Sequence, residues 1–202
     1  MKITLTILLA LCLCLASCLT TSEPFPKDFK PLKALAANGD ARAQYNLGVM
    51  YRDHPESKTL SHVLKDDVEA AKWFRKSALQ GYAEAQYALG QKYAYGVGKD
   101  EKEEAAKWFR KAAEQGDAFA QCFLGEMYAD GEGVPEDDMT AYAWWNIAAN
   151  GFAPAKGVKD LLAKTMTPDQ IAKAEALAKE LVNKNPKLSG MRRGSSATYE
   201  IK

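Results

Sequence analysis

The side chains best suited to metal binding or nucleophilic chemistry are few in this sequence of 202 residues. It has two histidines, His54 and His62, and four cysteines, of which three crowd into the first 18 residues and one, Cys122, lies in the body of the chain. A metal or proton-relay site would need further ligands at a suitable spacing, and none accompanies the histidines. We therefore expect no metal site and interpret residues 53–62 as a solvated loop.

Signatures of catalysis are also missing from the sequence. The motifs G-x-S-x-G, S-x-x-K and H-E-x-x-H do not occur, and neither does a Walker loop or a dinucleotide-binding glycine motif. Nothing singles out a catalytic pair among the 26 acidic residues. The 27 basic residues leave a formal net charge of +1, which gives no global attraction for phosphate. We expect neither an enzyme nor a cofactor, and no nucleic-acid partner.

The first segment has the pattern of an export leader. Lys2 precedes an almost wholly apolar run from Ile3 to Ala16. This run is too short for a comfortable membrane-spanning helix, and its charged start is typical of a signal peptide. Residues 1–17 are therefore predicted to direct export.

The end of this leader, Leu15-Ala16-Ser17-Cys18, resembles the bacterial lipobox. The resemblance implies that 1–17 is a lipoprotein signal peptide and that Cys18 is lipidated on sulfur, which anchors the chain to the membrane. Leu19, in place of an aspartate, implies the outer membrane of the bacterial cell envelope, facing the periplasm. A plain secretory signal is the alternative, and it also exports the chain.

One block of sequence recurs three times in the body of the chain. The motif A-Q-x-x-L-G-x-x-Y begins at Ala43, Ala85 and Ala120, and the block A-A-K-W-F-R-K begins at Ala70 and Ala105. Glycines spaced 42, 35 and 35 residues apart separate the units, namely Gly39, Gly81, Gly116 and Gly151. Self-similarity at such a period indicates a repeat architecture.

Each unit contains two predicted helices. Ala85, Leu89 and Tyr93 fall at i, i+4 and i+8, one stripe of an amphipathic helix. Gly90 lies inside this helix, where glycine costs about 1 kcal/mol relative to alanine, and we explain it by the close approach of a neighbouring helix. Two such helices bury their apolar faces only when units stack, so the sequence predicts an all-α fold, an α-solenoid.

The two blocks and their glycine-containing turns resemble the Sel1-like repeat family over about residues 35–151. The related tetratricopeptide repeats carry a tryptophan where this chain has Gln44, Gln86 and Gln121. The resemblance implies antiparallel helix pairs in a right-handed superhelix with C-terminal capping helices. It also implies an adaptor surface for other proteins.

The predicted organisation follows from these patterns. Thr167, Pro168 and Gln170 form a predicted capping box at the start of a terminal helix. A segment with two prolines and no helical period precedes the repeats, and a segment without apolar period ends the chain. The boundaries are a tether at 18–30, a solenoid at 31–184 with repeats at about 39–80, 81–115 and 116–150 and a cap at 151–184, and a disordered tail at 185–202.

The third repeat is more apolar than its counterparts on one helix face. Phe119, Phe123 and Met127 stand where the second repeat has Glu84, Ala88 and Lys92. An exposed apolar patch would be a partner's docking site, and Phe119, Phe123, Met127, Lys92 and Glu84 are the predicted partner-binding residues. The alternative is that this stripe is buried against the cap or the N-terminal linker.

Three further residues are assigned by aligning the separator glycines. Trp144 falls at the position of Phe109 and is expected in the core, whereas Trp145 falls at the position of Arg110 and is expected to pack on the cap helix. Cys122 replaces a tyrosine and is expected to be a buried thiol. The lysines and arginines of the A-A-K-W-F-R-K blocks are interpreted as a solvated face.

The preferred function is therefore a lipid-anchored, exported scaffold or adaptor that binds a protein or peptide partner. One alternative is a peptidoglycan-binding protein that stacks exposed aromatic side chains on glycan. A further alternative is β-lactam binding or hydrolysis, as credited to cysteine-rich repeat relatives. Those relatives carry a disulfide in each repeat, and this chain has none.

Overall fold

A computed structural model describes residues 30–53, 60–96 and 98–189, with the side chains of Lys30 and residues 60–66 outside the description. All regular elements within these ranges are helices. The helices are α1 Lys30–Ala37, α2 Ala41–Asp53, α3 Leu60–Leu79, α4 Ala83–Ala94, α5 Lys99–Ala113, α6 Ala118–Asp130, α7 Asp138–Ala148, α8 Ala153–Leu162 and α9 Pro168–Lys184, followed by a short 3-10 helix Pro186–Ser189. The predicted all-α architecture of antiparallel helix pairs is confirmed.

The described chain forms two compact units. The N-terminal unit ends at Ala112 and the C-terminal unit begins at Ala113. In the first, α2 packs against α1 and α3, and α3 packs against α4; in the second, α7 packs against α6, α8 and α9. No helix in the described residues has both the length and the apolar character needed to cross a membrane.

A glycine inside the first helix of each repeat meets an aromatic ring of the second helix. A Cβ atom added to Gly48 would lie 2.7 Å from the ring of Phe74, and one added to Gly90 would lie 2.7 Å from the ring of Phe109. Carbon atoms in favourable contact are about 3.5–4.0 Å apart, so only glycine fits. The explanation of Gly90 by close helix approach is confirmed.

The third repeat uses Trp145 at this position, not Trp144. A Cβ atom on Gly125 would lie 2.7 Å from Nε1 of Trp145, so Trp145 is the counterpart of Phe109. The register taken from the glycine spacing was wrong, because Trp145 follows Gly125 by one residue more than Phe109 follows Gly90, and it precedes Gly151 by one residue less than Phe109 precedes Gly116. Trp145 also lies in a buried cluster with Ala174 of α9, in agreement with the expected packing on the cap helix. Both tryptophans are buried, and Nε1 of Trp145 donates a hydrogen bond of 3.0 Å to the carbonyl of Cys122. Cys122 is a buried thiol that forms no disulfide with any described residue, in agreement with the prediction of a buried thiol.

The glutamine of each A-Q motif ties its helix to the helix before it. The Nε2 atoms of Gln44, Gln86 and Gln121 donate to the carbonyl eight residues earlier, at 3.1, 3.2 and 3.2 Å. Those carbonyls belong to the last turn of the preceding helix, where backbone acceptors lack helical partners. All three glutamines are buried, and each of these carbonyls also accepts from the backbone N–H of the separator glycine three residues later. The hydrogen bond therefore satisfies the buried side-chain amide of the glutamine.

The turns between repeats depend on glycine and on helix capping. Gly39, Gly81 and Gly116 have φ of 96°, 88° and 89°, a region that side chains other than glycine rarely adopt. Oδ1 of Asp117 then accepts a hydrogen bond of 2.7 Å from the backbone N–H of Ala120 at the start of α6. The separator glycines therefore reverse the chain between consecutive helices.

The C-terminal cap begins as predicted and ends differently. Thr167 and Gln170 form the reciprocal capping box of α9, with Pro168 in its first turn. Residues 186–189, expected to be disordered, form the 3-10 helix, and Leu188 is buried at 4% exposure. The carbonyl of Leu188 accepts from Nε2 of Gln121 at 3.1 Å. Local sequence does not reveal this contact, because its partners are 67 residues apart. Residues 190–202 lie outside the description.

Candidate interaction surface

An open groove crosses the N-terminal unit where the first two repeats meet. It has a volume of about 430 Å³ and is lined by α2, α3, α4 and the turn after α4. The residues that determine its character are Arg52, Phe74, Ala88, Gln91, Lys92 and Tyr95. A volume of this size lies in the range of small-molecule binding sites.

The floor of this groove is apolar because small residues face an aromatic ring. Ala70 and Phe74 of α3 and Ala88 of α4 belong to one buried cluster, with exposures of 3%, 4% and 6%. The centroid of the Tyr45 ring lies 5.8 Å from that of Phe74, so the two aromatic rings pack against each other. Phe74 is itself covered by Tyr45 and Arg52, so the floor contributes little accessible surface.

The rim carries charge and hydrogen-bonding groups. Arg52 donates two hydrogen bonds to Asp53, at 2.7 and 3.1 Å, and these raise the pKa of its guanidinium. The guanidinium carbon also lies 5.8 Å from the centroid of the Phe74 ring, within the range of a cation–π contact. Lys92 is exposed, and Tyr95 is 75% exposed. The arrangement suits binding of an apolar side chain and offers no nucleophile paired with a base.

Of the predicted binding residues, Lys92 lies in this groove and Glu84 does not. Both belong to α4, eight residues apart, and Glu84 is half-buried outside the lining. The sequence alone missed Arg52, Phe74 and Tyr95 as lining residues. A signal was available in the repeat alignment, since Ala88 is the small residue where the third repeat has Phe123.

The other predicted binding residues lie on α6 in the C-terminal unit. Met127 is buried at 5% exposure, so it does not belong to an exposed docking patch, and that part of the prediction is corrected. The ring of Phe119 lies 4.7 Å from that of Phe152, and Phe123 is half-buried. These contacts favour the packing interpretation of the stripe. The role of Phe119 and Phe123 in binding a partner stays a prediction.

The lysines of the repeated block contact residues of their own helices, and Arg75 donates to the hydroxyl of Tyr93 on the next helix at 3.5 Å. Lys107 is 2.6 Å from Glu104, and Nζ of Lys111 lies 4.0 Å from the centroid of the Trp108 ring. The same arrangement occurs one repeat earlier, where Lys72 pairs with Glu69 and Lys76 stacks on Trp73. These pairings agree with a solvated face and give no cluster aimed at an anion.

The remaining candidate residues fall at the edge of the description or beyond it. Residues 1–29, including Cys18, are outside it, and so is His54. Helix α3 starts at Leu60, so the predicted loop ends earlier than expected and the backbone of His62 is helical. The described residues contain no group of three histidine, cysteine or acidic side chains placed to hold a metal ion.

The repeat geometry matches a known family. The Sel1 repeat model matches residues 41–82, 83–117 and 118–151, which together make up more than half of the chain. The chain belongs to the Sel1 repeat family. Members of this family are typically protein-interaction scaffolds, and the fold is typically non-catalytic.

Two solved Sel1-type structures resemble the chain. A protective antigen of uropathogenic Escherichia coli with an SLR fold is 27% identical, with a TM-score of 0.58. The match covers 93% of this chain and 47% of that one, so the chain spans about half the length of the antigen. A Sel1 repeat protein from Oxalobacter formigenes is 33% identical, with a TM-score of 0.55, and the match covers 67% of this chain and 99% of that one. No curated protein matches the chain.

Proposed function

We propose that this Sel1 repeat protein is an exported, lipid-anchored adaptor that binds a protein or peptide partner in the groove between its first two repeats. The groove carries the proposal, since it combines an apolar floor with an exposed rim in a fold whose members typically act as scaffolds. Its open form suits an extended segment of a partner, which lies along a surface and inserts single side chains.

The anchor is proposed at Cys18, on the strength of the lipobox resemblance. The predicted location is the outer membrane, with the repeats in the periplasm. Several acyl chains on one terminus give lasting membrane attachment, since each buried methylene contributes about 0.8 kcal/mol. The partner would then be a component of the cell envelope.

The binding proposal is tested with the chain from residue 18 onward carrying Cys18→Ser, used as bait in detergent extracts of the cell envelope. Lys92→Glu places a negative charge in the groove, and Lys179→Glu makes the same change at an exposed position of α9. We expect to recover proteins that bind the Lys179→Glu bait and do not bind the Lys92→Glu bait. Identical retention by both baits would contradict the groove as the binding surface.

The anchoring proposal is tested by palmitate labelling and membrane fractionation of the full chain. Cys18→Ala is expected to abolish labelling and release the protein from the membrane fraction. Cys14→Ala is the matched control, because Leu13 precedes it and the lipobox pattern fails there. Unchanged labelling of Cys18→Ala would refute the anchor and leave the binding proposal standing.

A further inference from the structure

The outward side of α3 carries positive charge between two exposed apolar side chains. Val68 and Leu79 are 53% and 68% exposed. They are 11 residues apart in sequence. This spacing is about three helical turns, so the two side chains lie on the same side of the helix, about 16 Å apart along its axis. Three exposed basic residues follow the same side between them, namely Lys72, Arg75 and Lys76. These five residues form the basic face of α3.

In the next repeat, acidic side chains replace the two apolar residues. Helix α5 has Glu103 at the position of Val68. Glu114, the residue after α5, stands at the position of Leu79. The twelve residues from Val68 to Leu79 contain three basic residues and one acidic residue, whereas the equivalent twelve residues of the next repeat contain three of each. The excess of positive charge is therefore particular to α3 and does not come from the repeat motif.

Contacts within the N-terminal unit leave most of this charge uncompensated. Lys72 lies 2.7 Å from Glu69, and its side chain is still 60% exposed. Nζ of Lys76 lies 4.0 Å from the centroid of the Trp73 ring. Arg75 donates to a tyrosine hydroxyl of the neighbouring helix at 3.5 Å. The last two contacts are with uncharged groups, so they neutralise neither cation.

The groove lies on the opposite side of α3 from the basic face. Ala70 and Phe74 are buried and belong to the groove lining. Each is two residues from Lys72, which places it about 160° around the helix from that side chain. A surface that contacts the basic face would therefore leave the groove accessible to a partner.

We propose that the basic face of α3 docks on the surface of a membrane that contains anionic phospholipid. The choice of a membrane rests on the proposed anchor at Cys18, which lies about a dozen residues before α1. A dozen residues span at most about 40 Å, so the anchor would keep the N-terminal unit within reach of the lipid surface.

The chemistry of the basic face suits a headgroup layer. Such a layer presents many phosphate groups across a plane, so the basic side chains need not converge on one anion to be attracted to it. Val68 and Leu79 would enter the boundary between headgroups and acyl chains, where amphipathic helices place their apolar side chains. The docked protein would hold its groove on the side of α3 that faces away from the lipid.

The test is co-sedimentation of the protein with lipid vesicles. The protein is the chain from residue 18 onward carrying Cys18→Ser, which cannot receive the predicted lipid. Vesicles of phosphatidylcholine and phosphatidylglycerol in equal amounts are compared with vesicles of phosphatidylcholine alone. We expect at least tenfold stronger binding to the anionic vesicles at low salt. High salt should remove the difference, because it screens the attraction between exposed charges.

Two double variants with the same lost contacts locate the docking surface. Lys72→Gln with Lys76→Gln removes one ion pair and one contact with a tryptophan ring from α3. Lys107→Gln with Lys111→Gln removes the same two contacts from α5. Both lower the net charge equally, so a general electrostatic effect is the same in the two proteins. We expect the α3 pair to weaken binding to the anionic vesicles at least fivefold more than the α5 pair does.

A second comparison tests the apolar ends of the basic face. Val68→Glu with Leu79→Glu gives α3 the acidic residues of the next repeat. Ala172→Glu with Ala176→Glu makes the same change of charge at exposed positions of α9. We expect the first pair to weaken binding at least fivefold more than the second. All four positions are exposed, so the melting temperatures should be similar. If Val68→Glu with Leu79→Glu unfolds, the two lysine pairs decide the question.

The outcomes separate this inference from the proposed function. Equal binding to both kinds of vesicle, or equal weakening by the two lysine pairs, would refute docking of the basic face on a membrane. Absence of vesicle binding, together with loss of envelope proteins from a bait that carries the α3 lysine pair, would show that an acidic protein contacts this face instead. The vesicle assay needs neither the groove nor the lipid at Cys18, so its failure leaves the adaptor and its anchor standing.

Discussion

Replacing Gly125 by alanine tests the close helix approach that defines every repeat. The added Cβ atom would lie 2.7 Å from Nε1, 2.8 Å from Cδ1 and 3.1 Å from Cε2 of Trp145. These distances are well below an ordinary contact of about 3.5–4.0 Å. Trp145 is 1% exposed and its indole is held by the hydrogen bond to Cys122, so the ring has little freedom to move aside.

Two opposing effects set the magnitude of the change. Alanine is favoured over glycine inside a helix by about 1 kcal/mol. Overpacking a well-packed core costs about 1–3 kcal/mol. Gly157→Ala isolates the first effect, because Gly157 lies in α8 of the same unit and an added Cβ atom there meets nothing within 4 Å. We expect Gly157→Ala to raise the free energy of unfolding by about 1 kcal/mol. We expect the free energy of unfolding of Gly125→Ala to be about 1–3 kcal/mol lower than that of Gly157→Ala.

The assay is urea unfolding followed by circular dichroism, with the slope of the transition compared among variants. A change in midpoint at constant slope reports stability alone. Combining Gly125→Ala with Trp145→Leu removes the clashing ring. In the Trp145→Leu background, Gly125→Ala should therefore lower the free energy of unfolding by less than it does in the native sequence. Such non-additivity is typical of residues in contact. The reasoning is refuted if Gly125→Ala and Gly157→Ala stabilise the protein equally.

Three further substitutions probe contacts in the C-terminal unit. Trp145→Phe keeps a ring and removes the indole donor, so the carbonyl of Cys122 keeps its helical partner and loses this second hydrogen bond; we expect the free energy of unfolding to fall by about 0.5–1.5 kcal/mol in urea titrations. Thr167→Ala removes one half of the capping box and should cost about 0.5–2 kcal/mol, measured as a lower melting temperature, whereas Thr167→Ser should be nearly neutral. Leu188→Ala removes a buried side chain from the terminal 3-10 helix and should cost about 2–5 kcal/mol. Limited proteolysis should then cleave the C-terminal segment first, and an unchanged cleavage pattern would show that Leu188 does not hold it.

The features that recur in each repeat were the most predictable. The A-Q-x-x-L-G-x-x-Y motif appears three times, so its helical period and its unusual glycine are visible in the sequence alone. The capping box at Thr167 was equally accessible, because all of its interactions lie within four residues. Both belong to local structure, where neighbouring residues in sequence are also neighbours in space.

The features that were missed depend on volume and on distant contacts. The register of Trp145 was not visible because one additional residue between Gly125 and Trp145 is offset by one residue fewer between Trp145 and Gly151, which preserves the spacing of the glycines. The hydrogen bond between Gln121 and Leu188 joins residues 67 positions apart, and no local sequence pattern predicts it. The groove is lined by three helices, so it becomes visible only when these helices are placed together.

By itself, then, the sequence determined that the chain is a Sel1-type array of helix pairs with glycine turns, because repetition turns weak local preferences into a consistent pattern. Tertiary structure alone decided which aromatic ring meets which glycine, and that residues 186–189 close the C-terminal unit. It also decided that Met127 is buried while Lys92 lines an open groove, although the two occupy equivalent positions in their repeats. The physical reason is that exposure is a property of everything packed around a side chain, and a repeat motif specifies only the side chain itself.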